Sequence, residues 1–260
     1  MFPIRDDNPS VLTPYATYAI IGLNIVVWAL IQGMGSPAPL VQSMCELALI
    51  PAKLLSIAPP GAQVAFSETF VCVLDGPAWF TPLTSMFMHG GWFHIISNMW
   101  FLWIFGNNIE DAMGPFRFVV FYLLCGLGAA ALQIFADPSS AIPMVGASGA
   151  IGGVMGAYIV LYPKVRVHML VFLGFLVTTV AVPAILMLGY WLVVQLVQGV
   201  GSLGAQGGGV AFWAHVGGFA AGAALVFVFK DSEMLARHPY HGWNPRRTAG
   251  RSWERIRRRK

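Results

Sequence analysis

The stretch Val145–Gly153, with the sequence VGASGAIGG, opens an apolar segment that runs to Tyr162. A serine between glycines at the start of a predicted membrane helix has two interpretations. Small residues let helices approach closely in lipid, so packing is the more common explanation. The other explanation is chemistry, with Ser148 as a nucleophile. The composition and three further stretches of the chain bear on this choice.

The composition predicts an integral membrane protein. Hydrophobic residues make up 57% of the 260 residues and charged residues only 10%, whereas soluble domains usually carry about 25% charged residues. The polar N-terminus and the absence of a small-residue cleavage site after the first apolar run predict no secretory signal. We expect a cytoplasmic segment at 1–14, one membrane domain at 15–230 and a basic cytoplasmic tail at 231–260.

Apolar runs of the length that a bilayer requires, roughly 20 residues, predict six transmembrane helices. The predicted spans are 15–32, 92–105, 115–135, 147–162, 182–200 and 210–229, and a proline-rich outer loop at 33–88 separates the first two. A single span within 165–200 places every basic residue except Lys53 on the cytoplasmic side, as the positive-inside rule requires. Residues 167–180 are then an apolar interfacial connection. The predicted fold is an all-α six-helix bundle with both termini cytoplasmic.

Four polar side chains lie at similar depth near the outer ends of three predicted spans. His94 and Asn98 share one face of the second span, Ser148 begins the fourth, and His215 lies about six residues into the sixth. Neutral imidazole is the usual base that activates a serine hydroxyl, and the other two side chains offer donors for an oxyanion. No Asp or Glu lies in the outer halves of the spans. The residues therefore predict a Ser–His dyad and not a triad.

Glycines predict close packing between the fourth and sixth spans. A Ser–His hydrogen bond requires about 2.6–3.2 Å between heavy atoms, and serine is short, so the two backbones must come near each other. Gly152 lies one helical turn after Ser148, and Gly218 and Gly222 follow His215 with a G-x-x-x-G spacing. This spacing permits close helix contact in lipid.

Four motifs, in this order, resemble those of the rhomboid intramembrane serine proteases. They are HGGWFHIISN at His89–Asn98, GNNIEDAMG at Gly106–Gly114, GASG at Gly146–Gly149 and AHVGG at Ala214–Gly218. The resemblance covers roughly residues 79–229. It implies that Ser148 is the nucleophile and His215 the base, and that His94 and Asn98 are the oxyanion donors. In the loop before the second span, where the family often has Trp-Arg, this chain has Phe80 and Thr81.

The resemblance also implies a six-helix core that is gated laterally near the fifth span. Supporting positions at the site are Gly146, Gly149, Gly152, Gly218 and Gly222. For His89 it implies a role in shaping the loop and the access of water, and a structural hydrogen bond is an equal alternative. The expected partners are single-span membrane protein substrates and membrane lipid, with no nucleic acid, no metal and no cofactor.

Other classes of protease fit the residues poorly. A zinc protease would need an H-E-x-x-H helix, and His89, His94 and His215 have no carboxylate or cysteine nearby to complete a zinc site. An aspartyl protease needs aspartates within its spans, whereas Asp111 and Asp137 lie at span ends. An α/β-hydrolase elbow reads G-x-S-x-G between a strand and a helix, and here alanine holds the fifth position between membrane spans.

Two alternatives outside proteolysis stay open. The first is a rhomboid-like pseudoenzyme that binds membrane proteins without cleavage, which would be expected to have lost Ser148 or His215. The second is a small transporter or channel, although polar residues confined to one side argue against a path through the membrane. The expected location is a bacterial inner membrane, with the active site toward the outer face, and a eukaryotic organelle is the other option.

A few single residues complete the expectations. Cys45 and Cys72 lie in the outer loop, where either a disulfide or two free thiols are consistent with the sequence. Cys125 is expected to pack as a small hydrophobic residue in the third span. His168 in the interfacial connection, and His238 and His241 in the tail, are expected to be solvated or to face lipid.

Overall fold

The computed structural model describes residues 2–59, 61–65, 71–174, 176–202 and 210–240. Its helices are α1 (Tyr15–Leu30), α2 (Pro37–Leu47), α3 (Pro51–Leu54), α4 (Thr81–Thr84), α5 (Trp92–Met113), α6 (Pro115–Ala136), α7 (Ser148–Leu161), α8 (Ala184–Ser202), α9 (Phe212–Phe229) and α10 (Ser232–Arg237). Its strands are β1 (Phe2–Asp6), β2 (Gln63–Ala65), β3 (Val71–Val73), β4 (Arg166–Leu173) and β5 (Leu176–Pro183). Each predicted span corresponds to one of the longer helices.

Three of the described helices, α6, α8 and α9, are long and apolar enough to cross a bilayer. Helices α1 and α7 are apolar but shorter. Helix α5 has 22 residues, and polar residues occupy much of its second half. The chain is therefore mostly helical and has membrane-spanning segments, as predicted. That it crosses the membrane six times stays a prediction.

Helix α5 continues to Met113, well beyond the predicted span, and its acidic residues bind the start of α1 and the segment just before it. The carboxylate of Glu110 accepts hydrogen bonds from the backbone N–H groups of Ala16 and Thr17 at 2.9 and 2.8 Å. Asp111 accepts two more, at 2.6 and 2.8 Å, from the segment just before α1. The first N–H groups of a helix have no partner within it. Glu110 supplies that partner for Ala16 and Thr17, and the hydrogen bonds offset the cost of burying both carboxylates.

A three-stranded antiparallel sheet in the order β1–β4–β5 corrects the all-α prediction. The interfacial connection predicted at 167–180 falls within a hairpin that turns at Gly174, where φ is +61°. The N-terminal segment adds β1 to its edge. Residues in this stretch are rich in valine and threonine, which favour strands. Pairing also satisfies backbone groups that an irregular connection would leave open near lipid.

The structure also corrects the expectation for the peripheral histidines. His168 on β4 is half-buried, and its Nε2 lies 2.8 Å from Oδ1 of Asp7. His238 is fully buried, with its ring centroid 5.0 Å from that of Tyr162. The interpretation of both as solvated or lipid-facing is therefore wrong. His241 lies outside the described residues.

The segment between α1 and α5 contains short helices, the β2–β3 hairpin and a disulfide. Cys45 on α2 is bonded to Cys72 on β3, with Cα atoms 5.3 Å apart. The sequence left this pair open, since it shows no contact between the two residues. Cys125 on α6 is buried and free, as expected for a small packing residue.

Candidate active site

Ser148 is the first residue of α7, and a glycine turn places it there. Gly146 has φ +131°, a conformation that L side chains rarely adopt. Its N–H donates to the carbonyl oxygen of Ser85 at 2.9 Å, which ties the turn to the segment before α5. The hydroxyl of Ser148 therefore stands at a helix N-terminus, where unbonded N–H groups and the helix dipole favour negative charge.

His215 lies in the first turn of α9, opposite Ser148. The helix begins at Phe212, so His215 is nearer the helix start than the sequence predicted. Its Nε2 lies 2.8 Å from Oγ of Ser148. This distance is within the range for a nucleophile and its base. The geometry therefore permits direct proton transfer between hydroxyl and imidazole.

Glycines set the separation between α7 and α9. A Cβ atom added at Gly218 or Gly222 would overlap the carbonyl oxygen of a glycine on α7. A Cβ atom at Gly152 would lie 3.0 Å from the carbonyl oxygen of His215. One at Gly149 would lie 2.6 Å from the side chain of an alanine on α6. The predicted close approach of the two helices is therefore present, and these glycines lie at the contact.

Gly222→Leu is expected to lower cleavage of a membrane reporter by about 100-fold. The new side chain would force α9 away from α7, and a displacement of about 1 Å at the reacting atoms costs about that much. The measurement is initial rate in detergent, with gel filtration to check that the protein purifies intact. Gly22→Leu on α1 is the matched control, because no atom lies within 4 Å of its added Cβ. Normal activity in the Gly222 variant would show that the close approach of α7 and α9 does not set the rate.

His94 approaches the space beside Ser148, and Asn98 lies one helical turn further along α5. The Nδ1 atom of His94 accepts the N–H of Gly90 at 3.2 Å, so neutral His94 carries its hydrogen on Nε2. A Cβ atom at Gly146 would lie 2.8 Å from that Nε2 and 3.3 Å from Ser148 Oγ, so the glycine keeps this space open. Asn98 is buried, and its Nδ2 has no hydrogen-bond partner among the described residues. The structure thus brings Ser148, His215 and His94 together, and it places Asn98 one helical turn after His94 on α5.

The part of the chain that contains these residues matches a known protein family. The model described as Rhomboid domain matches residues 77–232, which is more than half of the chain and includes all four motifs. The chain belongs to the rhomboid family. It is an integral membrane protein, as its apolar helices also indicate.

Curated relatives come from plants, bacteria and yeast. The chain is 31% identical to RHOMBOID-like protein 4 of Arabidopsis thaliana over 66% of this chain and 38% of that protein. It is 32% identical to Rhomboid protease GluP of Bacillus subtilis over 62% of this chain and 29% of that protein. It is 31% identical to Rhomboid protease AarA of Providencia stuartii over 36% of this chain and 38% of that protein. The rhomboid chain thus spans less than two fifths of each of these relatives, and the family includes proteases.

His89 of this rhomboid lies beside His94, and Gln32 binds its backbone. The side-chain amide of Gln32 accepts the N–H of His89 at 2.8 Å and donates to its carbonyl oxygen at 2.7 Å. The two imidazole rings meet edge to face with centroids 5.2 Å apart. Burial, together with nearby His94, lowers the pKa of His89 to about 3, so this ring is neutral at physiological pH. The role of His89 in shaping the loop and the access of water stays a prediction.

Sequence reasoning missed Gln195 on α8. Its Oε1 lies 2.7 Å from Nδ1 of His215, on the side of the ring opposite Ser148. The available signal was a polar residue within the predicted span 182–200, since polar groups inside a membrane are costly without a partner. An amide carries no charge, so the absence of acidic residues from the outer halves of the spans does not point to Gln195.

The structure also bears on metal binding. Within the described ranges, no group of three His, Cys, Asp or Glu side chains could hold a metal ion.

Proposed function

We propose that this rhomboid is an intramembrane serine endopeptidase that cleaves transmembrane segments of single-span membrane proteins with a Ser–His dyad. The observation that carries the proposal is the 2.8 Å distance between Ser148 Oγ and His215 Nε2. Membership of a family that includes proteases supports it.

The proposed reaction has two stages. Ser148 Oγ attacks the scissile carbonyl carbon while His215 Nε2 takes the hydroxyl proton. The oxyanion of the tetrahedral intermediate accepts hydrogen bonds from Nε2–H of His94 and Nδ2–H of Asn98. The intermediate collapses as His215 returns the proton to the leaving amine, and the acyl group stays on Ser148. A water molecule, deprotonated by His215, then attacks the ester, releases the new carboxyl end and restores the serine.

The chemistry restricts the kind of substrate. The peptide bonds of a transmembrane helix have their N–H and C=O groups bonded within the helix. Attack therefore requires a segment that unwinds easily, and small side chains at the cleavage site would ease entry. We propose that the segment enters near α8, since the resemblance implies a lateral gate near the fifth span.

For the membrane topology we propose six spans within 15–230, with the segment 1–14 and the tail 231–260 in the cytoplasm. The distribution of basic residues supports this orientation. The Cys45–Cys72 disulfide supports an outer location for the long loop, because disulfides persist in oxidising compartments. The site then faces outward, and the bacterial proteases among the relatives support a bacterial inner membrane.

A serine-directed fluorophosphonate is expected to label the purified protein at Ser148, because its hydroxyl is activated by His215. Peptide mass spectrometry locates the label, and a transmembrane reporter tests cleavage in the same preparation. Ser139→Ala, a change at an exposed serine, should leave labelling unchanged. Label on a different serine, or cleavage without any label, would overturn the assignment. Reporter binding with neither label nor cleavage would indicate a pseudoenzyme.

A further inference from the structure

Helix α8 buries a polar side chain where an apolar one would be expected. The buried residues of this helix are Ala184, Leu188, Gln195 and Gly199, and its other side chains are exposed or half-buried. Gln195 retains 7% of its accessible surface. A buried amide is destabilising unless it is hydrogen-bonded, so its position reflects the partner that it meets.

The partner is the catalytic imidazole of the proposed dyad. Oε1 of Gln195 lies 2.7 Å from His215 Nδ1. An amide oxygen can only accept a hydrogen bond, so Nδ1 carries the hydrogen of the neutral ring. Nε2 is then unprotonated and can accept the proton of Ser148 Oγ, 2.8 Å away. In a serine triad this selection of tautomer and orientation is the work of a carboxylate.

A second side chain of α8 packs against the same ring. Trp191 lies one helical turn before Gln195, on the same face of the helix. Its ring centroid lies 5.7 Å from that of His215, with 36° between the planes. A Cβ atom added at Gly152 would lie 3.8 Å from Trp191, an ordinary contact distance, so the indole also lies beside α7. The two α8 side chains therefore contact the face and one edge of the imidazole.

From this geometry we propose that Gln195 is a positioning residue that holds His215 with its hydrogen on Nδ1, so that α8 completes the Ser148–His215 pair. The proposal rests on the proposed protease function. Gln195 donates no proton to the substrate and acts only through His215. Because α8 carries it, the base is correctly oriented only while α8 lies against α9.

Substitution of Gln195 distinguishes a role in positioning His215 from a role in helix packing alone. Gln195→Leu keeps a similar size but removes the acceptor, and kcat is expected to fall about 10- to 100-fold with KM within about twofold, because orientation is lost but substrate contacts are kept. Gln198→Leu, at an exposed position of the same helix, is the matched control and should match the parent. Equal kcat in both leucine variants would overturn the proposal.

A second variant, Gln195→Glu, tests the orientation of His215 through the pH dependence of kcat/KM. Gln195→Glu keeps an acceptor oxygen, so it should restore activity relative to the leucine variant. Its carboxylate would also stabilise the imidazolium, so the acidic limb of kcat/KM should move to higher pH by about one unit or more. Besides Ser148 on α7, the titratable group facing His215 from the described elements is His94 on α5, and it is unchanged in this variant. An unshifted limb without rescue would indicate a merely structural amide.

Histidine 15N NMR in detergent micelles gives a readout that does not depend on activity. The His215 signals are assigned by their loss in His215→Asn. The parent should show the hydrogen on Nδ1, and Gln195→Leu should show a mixture of tautomers. A parent with the hydrogen on Nε2 would overturn the proposal even if the protein cleaves its reporter. The expected tautomer in a protein that neither labels nor cleaves would reject the protease function alone.

Discussion

Ser148→Ala is expected to abolish cleavage of a transmembrane reporter, lowering kcat by at least about 10⁴-fold. Without the hydroxyl there is no acyl-enzyme, and only weak catalysis from binding and oxyanion donors remains. His215→Ala should have a similar effect, because the hydroxyl then has no base. The two residues act as one unit, so the double variant should be no slower than either single variant. Product appearance on gels and by mass spectrometry measures the rates.

Ser202→Ala is the control for this experiment, because Ser202 is an exposed residue at the C-terminal end of α8 whose hydroxyl donates a hydrogen bond to the carbonyl oxygen of Gly199. Its rate should equal that of the parent. Substrate capture by Ser148→Ala without cleavage would show that binding is intact. Continued cleavage by Ser148→Ala would reject the dyad, and effects that multiply in the double variant would show that the two residues act separately.

The positions of the main helices were predictable because long apolar runs depend only on local sequence. The ends of the helices were less predictable. The second span was predicted to end at Phe105, whereas α5 continues to Met113 and there Glu110 and Asp111 accept hydrogen bonds from α1 and the segment just before it. Such contacts join positions almost a hundred residues apart, and no local pattern contains them.

The β1–β4–β5 sheet was missed for a related reason. An apolar stretch near a membrane can lie in the interface or pair as strands, and hydropathy does not separate the two. Valine and threonine favour the strand, but Gly174 at the turn and the pairing with β1 depend on the fold.

The residues of the site were also predictable only in part, because some follow from local sequence and others from tertiary packing. Ser148, His215, His94 and Asn98 were found because each has a chemical type that is rare in a membrane span and a similar depth. The approach of Ser148 and His215 to hydrogen-bonding distance depends on glycines at the helix contact, which the G-x-x-x-G spacing signalled. Gln195 could not be assigned to His215, because the rotation of α8 about its axis is set by packing and not by its composition.

The double variant His94→Ala/Asn98→Ala is expected to lower kcat by about 10³-fold, with little change in KM. Removal of one oxyanion donor typically costs about 10²–10³ in rate. These two donors can partly replace each other, so each single variant should lose less than the double. The charge on the oxygen exists only in the intermediate and its transition states, which is why turnover and not binding should change.

The geometry beside Ser148 supports this expectation. The Gly90 N–H directs the hydrogen of neutral His94 to Nε2, and Nδ2 of Asn98 has no protein partner within the described part of the chain. Both donors are therefore available for a substrate oxygen. Fluorophosphonate labelling should also slow in the double variant, because the phosphonyl oxygen would occupy the same space. That readout requires no membrane substrate.

A matched change on α5 controls for damage to the helix. Ile96 lies between the two donors in sequence but is 57% exposed, so Ile96→Ala should retain parental turnover and labelling. Thermal unfolding of all variants in the same detergent separates loss of fold from loss of donors. Parental turnover in a well-folded double variant would make His94 and Asn98 structural residues. The oxyanion would then depend on the backbone N–H groups at the start of α7, where the helix dipole favours negative charge.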